Sequence, residues 1–267
     1  MSKQYPTSYP ELNGILDELV SSVQTALADN LCGVYLSGSF AVGDSDIDSD
    51  VDFLIAVNRE ISETELLALQ TMHGRIYDLK SDWAKHLEGA YFPKDILRRA
   101  NDTRVELWYL NNTSRELVWS NHDDTQIVRW IVREYGLALY GPMPNTLIDP
   151  VSADDLRQEI LKKMQAWTQQ IFADPEEMNN RWYQPYVVLS YCRMLHTLQT
   201  GRIWSKIAGA NWAKETLDHN WEGLIQRAWD ERPNPSLKSQ QKGDPADVKS
   251  TFDFVKYALL VATKPGT

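Results

Sequence analysis

Cysteine is scarce in this sequence and long apolar runs are missing, and both absences narrow the class of protein. Cys32 and Cys192 are the only 2 cysteines among 267 residues, too few for a disulfide framework, so a reducing cytoplasm is expected. No apolar run approaches the roughly 18 residues that a membrane span needs. The first residues lack a basic segment followed by a hydrophobic one, which disfavours secretion. We therefore expect a cytoplasmic protein with no membrane partner.

Several signatures of common enzyme and metal sites are also missing. No Gly-Lys-Ser/Thr follows Gly38, which excludes a Walker-type phosphate loop. The 5 histidines show no metal-ligand spacing, which disfavours zinc. The sequence around Ser39 shows no histidine in a catalytic-triad pattern, which argues against a serine hydrolase.

Positive charge is scarce in the first half of the chain. The whole sequence has 27 Lys and Arg against 37 Asp and Glu, a net charge of −10. Residues 1–150 contain 12 basic and 23 acidic side chains, a net of −11, and residues 151–267 contain the other 15 and 14, a net of +1. So acidic a first half makes nucleic acid a poor partner.

The hydrophobic pattern predicts a mixed front part and a helical back part. Apolar residues from Leu12 to Leu27 recur every three or four positions, which predicts an amphipathic helix. From about Thr125 onward the pattern is helical, and a domain boundary is predicted between residues 1–150 and 151–267. Ser62 begins a capping box for a helix that extends to about Ile76, and Ser152 with Asp155 caps another. Strands are predicted at Gly33–Leu36, Val51–Val57, His86–Phe92 and Val105–Leu110.

The most informative segment joins the first two predicted strands. Gly38-Ser39 ends the first strand, and Asp50-Val51-Asp52 enters the second. Side chains two apart on a strand face the same side, so the two carboxylates can share a divalent cation such as magnesium. Gly38 and Ser39 would let the backbone and a hydroxyl approach phosphate oxygens. These residues predict a metal and triphosphate site.

The three aspartates before Ser49 allow two other interpretations of the acidic segment. Asp44, Asp46 and Asp48 alternate as in an EF-hand, but Ser49 stands where the sharp-turn Gly belongs and Ile55 where the bidentate Glu belongs. An EF-hand is therefore excluded. We interpret these three aspartates as a solvated acidic turn. Asp50 and Asp52 differ from them because they enter an apolar strand, where unpaired carboxylates would be costly.

The segments Gly38-Ser39 and Ser49-Asp50-Val51-Asp52 resemble the signature of the nucleotidyltransferase superfamily, in which two aspartates hold magnesium ions on a nucleoside triphosphate. Within it, the chain resembles the aminoglycoside (3'')(9) adenylyltransferases. Four further segments carry this resemblance: Leu87-Glu88, Ala138–Pro142, Val187–Arg193 continuing through Thr200-Gly201 to Lys206, and Phe254–Tyr257.

The resemblance implies a fold and a set of site residues. The fold is α/β (α+β), with an N-terminal nucleotidyltransferase domain containing a small mixed sheet and an all-helical C-terminal domain. ATP is the co-substrate, expected between the domains, with two Mg²⁺ ions. The implied residues are Asp50 and Asp52 as metal ligands, Glu88 as catalytic base, Arg193 and Lys206 on the triphosphate, and Gly38, Ser39, Ser49 and Tyr257 on the nucleotide.

The implied reaction transfers AMP to a hydroxyl of a small cationic, aminoglycoside-like acceptor, with release of pyrophosphate, by a monomeric enzyme. Asn179–Tyr186 replaces an acidic stretch of the family, and Trp108–Asn111 does not align cleanly with the family's recognition Trp, so the acceptor stays open. A macromolecular acceptor, either a protein hydroxyl or tRNA, is one alternative, and the acidic first half disfavours tRNA. A catalytically silent nucleotide sensor is another, which the presence of Asp50, Asp52 and Glu88 disfavours.

Overall fold

A computed structural model of the chain describes residues 5–100, 103–233 and 235–264. The backbone divides into two compact units, Met1–Val151 and Ser152–Thr267. The first unit contains the sheet, and the second is helical, so the predicted fold class is confirmed.

The first unit is built on one six-stranded mixed sheet with the order β5-β4-β3-β2-β1-β6. β2 and β3 are parallel, and all other neighbours are antiparallel. The strands are β1 (Leu31–Leu36), β2 (Val51–Val57), β3 (Leu87–Pro93), β4 (Leu107–Leu110), β5 (Leu117–Ser120) and β6 (Leu137–Tyr140). The helices of this unit are α1 (Pro10–Leu27), α2 (Gly38–Val42), α3 (Glu63–Tyr77), α4 (Lys94–Arg98) and α5 (Gln126–Tyr135).

Both faces of the sheet are buried, which explains why β2 and β3 are almost continuously apolar. Phe53 and Ile55 pack on one face against the apolar side of α1 and α3. Leu54 and Ala90 pack on the other face, together with Val132 of α5. Alternate residues of each strand therefore belong to separate cores, and the register of the strands decides which side chains share a face.

The capping predictions are confirmed in both units. Ser62 and Glu65 form a reciprocal capping box at the start of α3, and Ser152 and Asp155 form one before the next helix. A hydroxyl and a carboxylate thereby satisfy backbone N–H groups that have no partner within the helix.

The prediction of continuous helix from Thr125 is wrong at one segment. α5 ends at Tyr135, and Leu137–Tyr140 then form β6, which pairs with β1. The segment Gly141–Pro144 therefore follows a strand. β5 and the short helix α2 were also not predicted.

A fully buried ion pair fixes α5 beside the sheet. Arg129 and Asp124 are 0% and 1% exposed at their side chains, and their atoms lie 2.6 Å apart. The guanidinium also donates to the carbonyls of Ile96 and Leu97, and Asp124 accepts from the N–H of Val105 at 2.6 Å. Because both charges have several hydrogen-bond partners, the network offsets much of their desolvation cost.

Helices form the second unit throughout. They are α6 (Ala153–Ala173), α7 (Tyr183–Thr200), α8 (Lys206–Thr216), α9 (Glu222–Asp230), α10 (Pro235–Lys238) and α11 (Pro245–Ala262). α7 is buried along most of its length, and its neighbours include α6, α8, α9 and α11. Among the described helices of both units, none is long and apolar enough to cross a bilayer.

His73 of α3 is buried between the helix and the sheet. Its ring stacks on Phe53, with centroids 5.9 Å apart, and its Nε2 lies 2.7 Å from the hydroxyl of Tyr91. Burial lowers the pKa of His73 to about 3 because the charged form would lose its hydration. The imidazole is therefore neutral in the folded protein at physiological pH.

This burial predicts an acid-sensitive stability. An unfolded His titrates near pH 6.5, so between about pH 6.5 and 3 the unfolded chain binds the additional proton. As the pH is lowered across that window, the free energy of unfolding should decrease, by up to about 1.4 kcal/mol per pH unit from this group. Denaturant titrations at several pH values should show a shallower slope for His73→Gln. His219→Gln, at an exposed position, is the control and should keep the wild-type slope; equal slopes for all three proteins would contradict the prediction.

Candidate active site

Asp52 and Glu88 lie side by side because β2 and β3 are parallel and in register. The register pairs Val51 with Leu87 and Asp52 with Glu88. Both carboxylates are the second residues of their strands, and both are partly exposed. The structure therefore brings together the predicted metal ligand and the predicted base.

Asp50 directly precedes β2 and is held from the turn after β4. The amide Nδ2 of Asn112 donates to Asp50 Oδ1 at 2.5 Å, and Asn112 Oδ1 lies 3.0 Å from His86 Nδ1. The same His86 nitrogen is 4.0 Å from Asp50 Oδ1. Asp50 is thus oriented by neutral amide hydrogen bonding while 45% of its side chain stays exposed.

Gly38 supports Asp52 through the absence of a side chain. Its φ is +58°, and a Cβ atom at this position would lie 1.8 Å from Asp52 Oδ2. The N–H of Ser37 also donates to the carbonyl of Asp52 at 2.8 Å. The turn after β1 therefore closes tightly over the Asp52 carboxylate, which requires glycine.

Tyr109 is a site residue that sequence reasoning missed. Its hydroxyl donates a hydrogen bond to Glu88 Oε1, and the residue is 4% exposed. Burial is the largest cause, followed by the Glu88 hydrogen bond, of a pKa for Tyr109 far above its ordinary value. The one available signal was its place in a predicted strand next to the strand that contains Glu88.

Ser49 and Ser39 are engaged in local structure. Ser49 Oγ donates to Asp46 Oδ1 at 3.1 Å and accepts from the Asp46 N–H at 2.9 Å. Asp46 also accepts from the N–H of Asp48, so this part of the acidic segment is a turn with local hydrogen bonds. Ser39 lies in α2, where its carbonyl accepts from Gly43 and Asp44.

The second unit brings Arg193 and Lys206 to the contact between α7 and α8. A Cβ at Gly209 would lie 2.7 Å from the Arg193 Cα, so the two backbones are in close contact there. Lys206, the first residue of α8, is three residues before Gly209 and therefore on the same helix face. Both basic side chains are partly exposed.

Tyr257 lies in α11 within an aromatic group. Its ring is 5.3 Å from that of Trp221 and 6.4 Å from that of Phe254, and its hydroxyl accepts from the N–H of Asp218 at 3.1 Å. The tyrosine thus helps to pack α11 against the turn before α9.

A partly exposed aromatic cluster includes residues of Asn179–Tyr186, the segment in which this chain differs from the family. Trp167 Nε1 donates to the Tyr183 hydroxyl at 3.0 Å, and Trp182 stacks on Tyr186 with centroids 5.2 Å apart. Tyr186 is 39% exposed. These contacts give Trp167 and Trp182 a packing role at the start of α7.

The donor set of the carboxylate group suits magnesium. Asp50 and Asp52 offer hard oxygen ligands, and both are partly exposed beside the turn at Gly38. Within the described ranges, no three His, Cys, Asp or Glu side chains form a metal-binding group. An ion held by two aspartates would complete its shell with phosphate oxygens and water, as Mg²⁺ commonly does.

Two family models match separate parts of the chain. A nucleotidyltransferase domain model matches residues 16–108, and a model of the aminoglycoside adenylyltransferase C-terminal domain matches residues 146–258. The first match contains Asp50, Asp52 and Glu88, and the second contains Arg193, Lys206 and Tyr257.

Curated relatives match over most of their length. An aminoglycoside (3'')(9) adenylyltransferase of Shigella flexneri is 28% identical over 238 residues, covering 82% of this chain and 84% of the relative. A spectinomycin 9-adenylyltransferase of Staphylococcus aureus is 27% identical over 239 residues, covering 77% and 86%. A crystal structure of spectinomycin adenyltransferase AAD(9) from Enterococcus faecialis with ATP and spectinomycin superposes with a TM-score of 0.68 and 17% identity, covering 92% of this chain and 98% of that chain. That likeness supports the fold.

The sheet with its paired carboxylates and the match over residues 16–108 define a nucleotidyltransferase. The C-terminal match and the curated relatives narrow this class: the chain is similar to the aminoglycoside (3'')(9) adenylyltransferases over most of their length. The family resemblance stated from the sequence is confirmed.

The close approach of Gly38 to Asp52 predicts the effect of Gly38→Ala. A positive φ costs a non-glycine residue about 1–2 kcal/mol, and the new methyl must also displace the Asp52 carboxylate. We expect lower stability together with a marked loss of Mg-ATP affinity, measured by calorimetric titration. Gly43→Ala is the matched control, because Gly43 has φ +83° but open space around its Cβ position. It should lose similar stability and retain Mg-ATP affinity; equal loss of affinity in both variants would refute the role of Gly38.

Proposed function

We propose that this protein transfers AMP from ATP to a hydroxyl of an aminoglycoside or aminocyclitol and releases pyrophosphate. The observation that supports this most strongly is the pairing of Asp52 with Glu88 across β2 and β3, with Asp50 beside them. The names of the relatives, which act on aminoglycosides and spectinomycin, supply the acceptor class.

In the proposed reaction Glu88 accepts the proton of the acceptor hydroxyl. The hydroxyl oxygen then forms a bond to the α-phosphorus of ATP, and the bond from that phosphorus to the bridging oxygen of pyrophosphate breaks. Asp50 and Asp52 would hold magnesium, which when bound offsets negative charge on the phosphate oxygens. Asn112 and the Gly38 turn keep these two carboxylates in place.

The remaining predicted residues bind the nucleotide in this proposal. Arg193 and Lys206 supply positive charge for the triphosphate. Gly38, Ser39 and Ser49 lie on the segment that connects β1 to β2, close to the metal ligands. Tyr257 has the weakest support, because its ring packs on Trp221 and its hydroxyl is bonded to Asp218.

The charge of the chain favours a cationic acceptor. Residues 1–150 have a net charge of −11, counted from 12 basic and 23 acidic side chains, which attracts a polyamine-like antibiotic and repels nucleic acid. We further propose a cytoplasmic monomer. The cytoplasm supplies ATP, and its reducing conditions fit the two free cysteines of the protein.

Incubation of the protein with Mg-ATP and a panel of aminoglycosides and aminocyclitols tests the proposed function. Mass spectrometry should detect one or more AMP-ester products with the wild type. Glu88→Gln keeps the shape but cannot take the proton, so the rate should fall roughly 10²–10⁴-fold with Mg-ATP affinity nearly intact. Asp52→Asn should lose both the transfer activity and the affinity for Mg-ATP. No product with any member of the panel, with AMP appearing instead on a protein or tRNA, would overturn the small-molecule assignment.

Removal of the basic side chains at the α7–α8 contact tests where the triphosphate binds. Arg193→Ala and Lys206→Ala should each weaken Mg-ATP binding by about 1–3 kcal/mol, the range of a charge-assisted hydrogen bond. Lys249→Ala, at an 84% exposed side chain of α11, is the charge-matched control and should bind normally. Wild-type affinity of both test variants in calorimetry would place the triphosphate elsewhere.

A further inference from the structure

The antiparallel pairing of β3 and β4 places Tyr109 on the same face as Glu88. Tyr109 is directly opposite Ala90, and Ala90 is two residues after Glu88 on β3. Opposed residues of an antiparallel pair share a face, as do residues two apart on a strand. Because Ala90 has only a methyl group, the Tyr109 ring can extend diagonally across it to the Glu88 carboxylate.

Tyr109 is held rigidly enough to orient another side chain. It is 4% exposed, and β4 pairs on both sides, with Tyr109 opposite Ala90 on β3 and Val118 on β5. Its ring stacks on His122 with centroids 5.1 Å apart. The hydroxyl donates to Glu88 Oε1 and also lies 3.4 Å from Asn111 Oδ1.

The hydroxyl remains a donor across the working pH range. Burial, the Glu88 hydrogen bond and the nearby charges of Glu88, Asp123 and Asp52 all raise the pKa of Tyr109. Tyr109 is therefore a neutral phenol, and it can donate a hydrogen bond to the Glu88 carboxylate without adding charge to the site.

We infer that Tyr109 is a positioning residue that orients Glu88 for proton abstraction from the acceptor. The hydrogen bond restricts the side-chain torsions of Glu88, so the carboxylate is oriented before the acceptor binds. This role rests on the proposed function, in which Glu88 takes the proton as the acceptor oxygen bonds to the α-phosphorus and pyrophosphate leaves. A base held in advance needs no reorganisation during the attack.

Tyr91 provides a matched control within the same sheet. It is a buried tyrosine on β3 whose hydroxyl is also hydrogen-bonded to a side chain, 2.7 Å from His73 Nε2. It packs in the core on the opposite face from Tyr109. Tyr91→Phe therefore removes a buried phenol hydroxyl without touching the carboxylates.

The decisive experiment compares steady-state kinetics of the wild type, three single variants and one double variant, with the acceptor found for the wild type. Tyr109→Phe keeps the ring and its stacking but loses the donor, and we expect kcat to fall roughly 10–100-fold, with KM for ATP nearly unchanged. Tyr91→Phe should lose stability and keep wild-type kcat. In the Glu88→Gln background, Tyr109→Phe should cause little additional loss, because the residue acts through the base.

Thermal unfolding of the same variants separates a catalytic contact from a packing contact. For this measurement Glu88→Ala replaces Glu88→Gln, because a Gln amide oxygen could still accept from the Tyr109 hydroxyl. A double-mutant cycle between Tyr109→Phe and Glu88→Ala reports whether the two side chains interact, independently of turnover. Coupling in both stability and kcat supports the inference. Wild-type kcat in Tyr109→Phe, or an equal loss in the Glu88→Gln background, would overturn it while leaving the proposed function intact. An inactive wild type would instead contradict the proposed function, and the stability cycle alone would then report on the contact.

Discussion

The parallel register of β2 and β3 is the constraint on which the carboxylate group depends. A slip of one residue would move Glu88 to the opposite face from Asp52, because side chains alternate along a strand. Burial on both faces resists such a slip, since Phe53 and Leu54 belong to different cores and would have to exchange them. Apolar packing, which has no chemical role, thereby fixes the spacing of the reactive groups.

β4 and the turn after it contribute side chains that orient the carboxylates. Tyr109 and Asn112 donate to Glu88 and Asp50, so one short segment orients two of the three carboxylates. The start of that segment is anchored where the Val105 N–H donates to Asp124, the buried partner of Arg129. Loss of either charge would leave the other buried and unpaired, a change that typically costs about 3–5 kcal/mol.

Local sequence patterns predicted those features that depend on near neighbours. The capping boxes at Ser62 and Ser152 and the placement of Asp52 on an apolar strand follow from spacings of two or three residues. β6 was missed because Leu-Ala-Leu-Tyr becomes a strand only by pairing with β1, about 100 residues earlier. Tyr109 was missed for the same kind of reason, since its contact with Glu88 depends on the pairing of β3 with β4. The roles of the site residues themselves stay predictions.

β6 occupies one edge of the sheet and is also the last strand before the chain enters the second unit. A fragment ending with α5 at Tyr135 would expose the backbone N–H and C=O groups of β1, and an unprotected apolar edge strand invites aggregation. The Tyr35 hydroxyl would also lose its acceptor, the carbonyl of Pro142, 2.9 Å away. For anyone who wishes to produce the sheet unit alone, the cut therefore belongs after Val151.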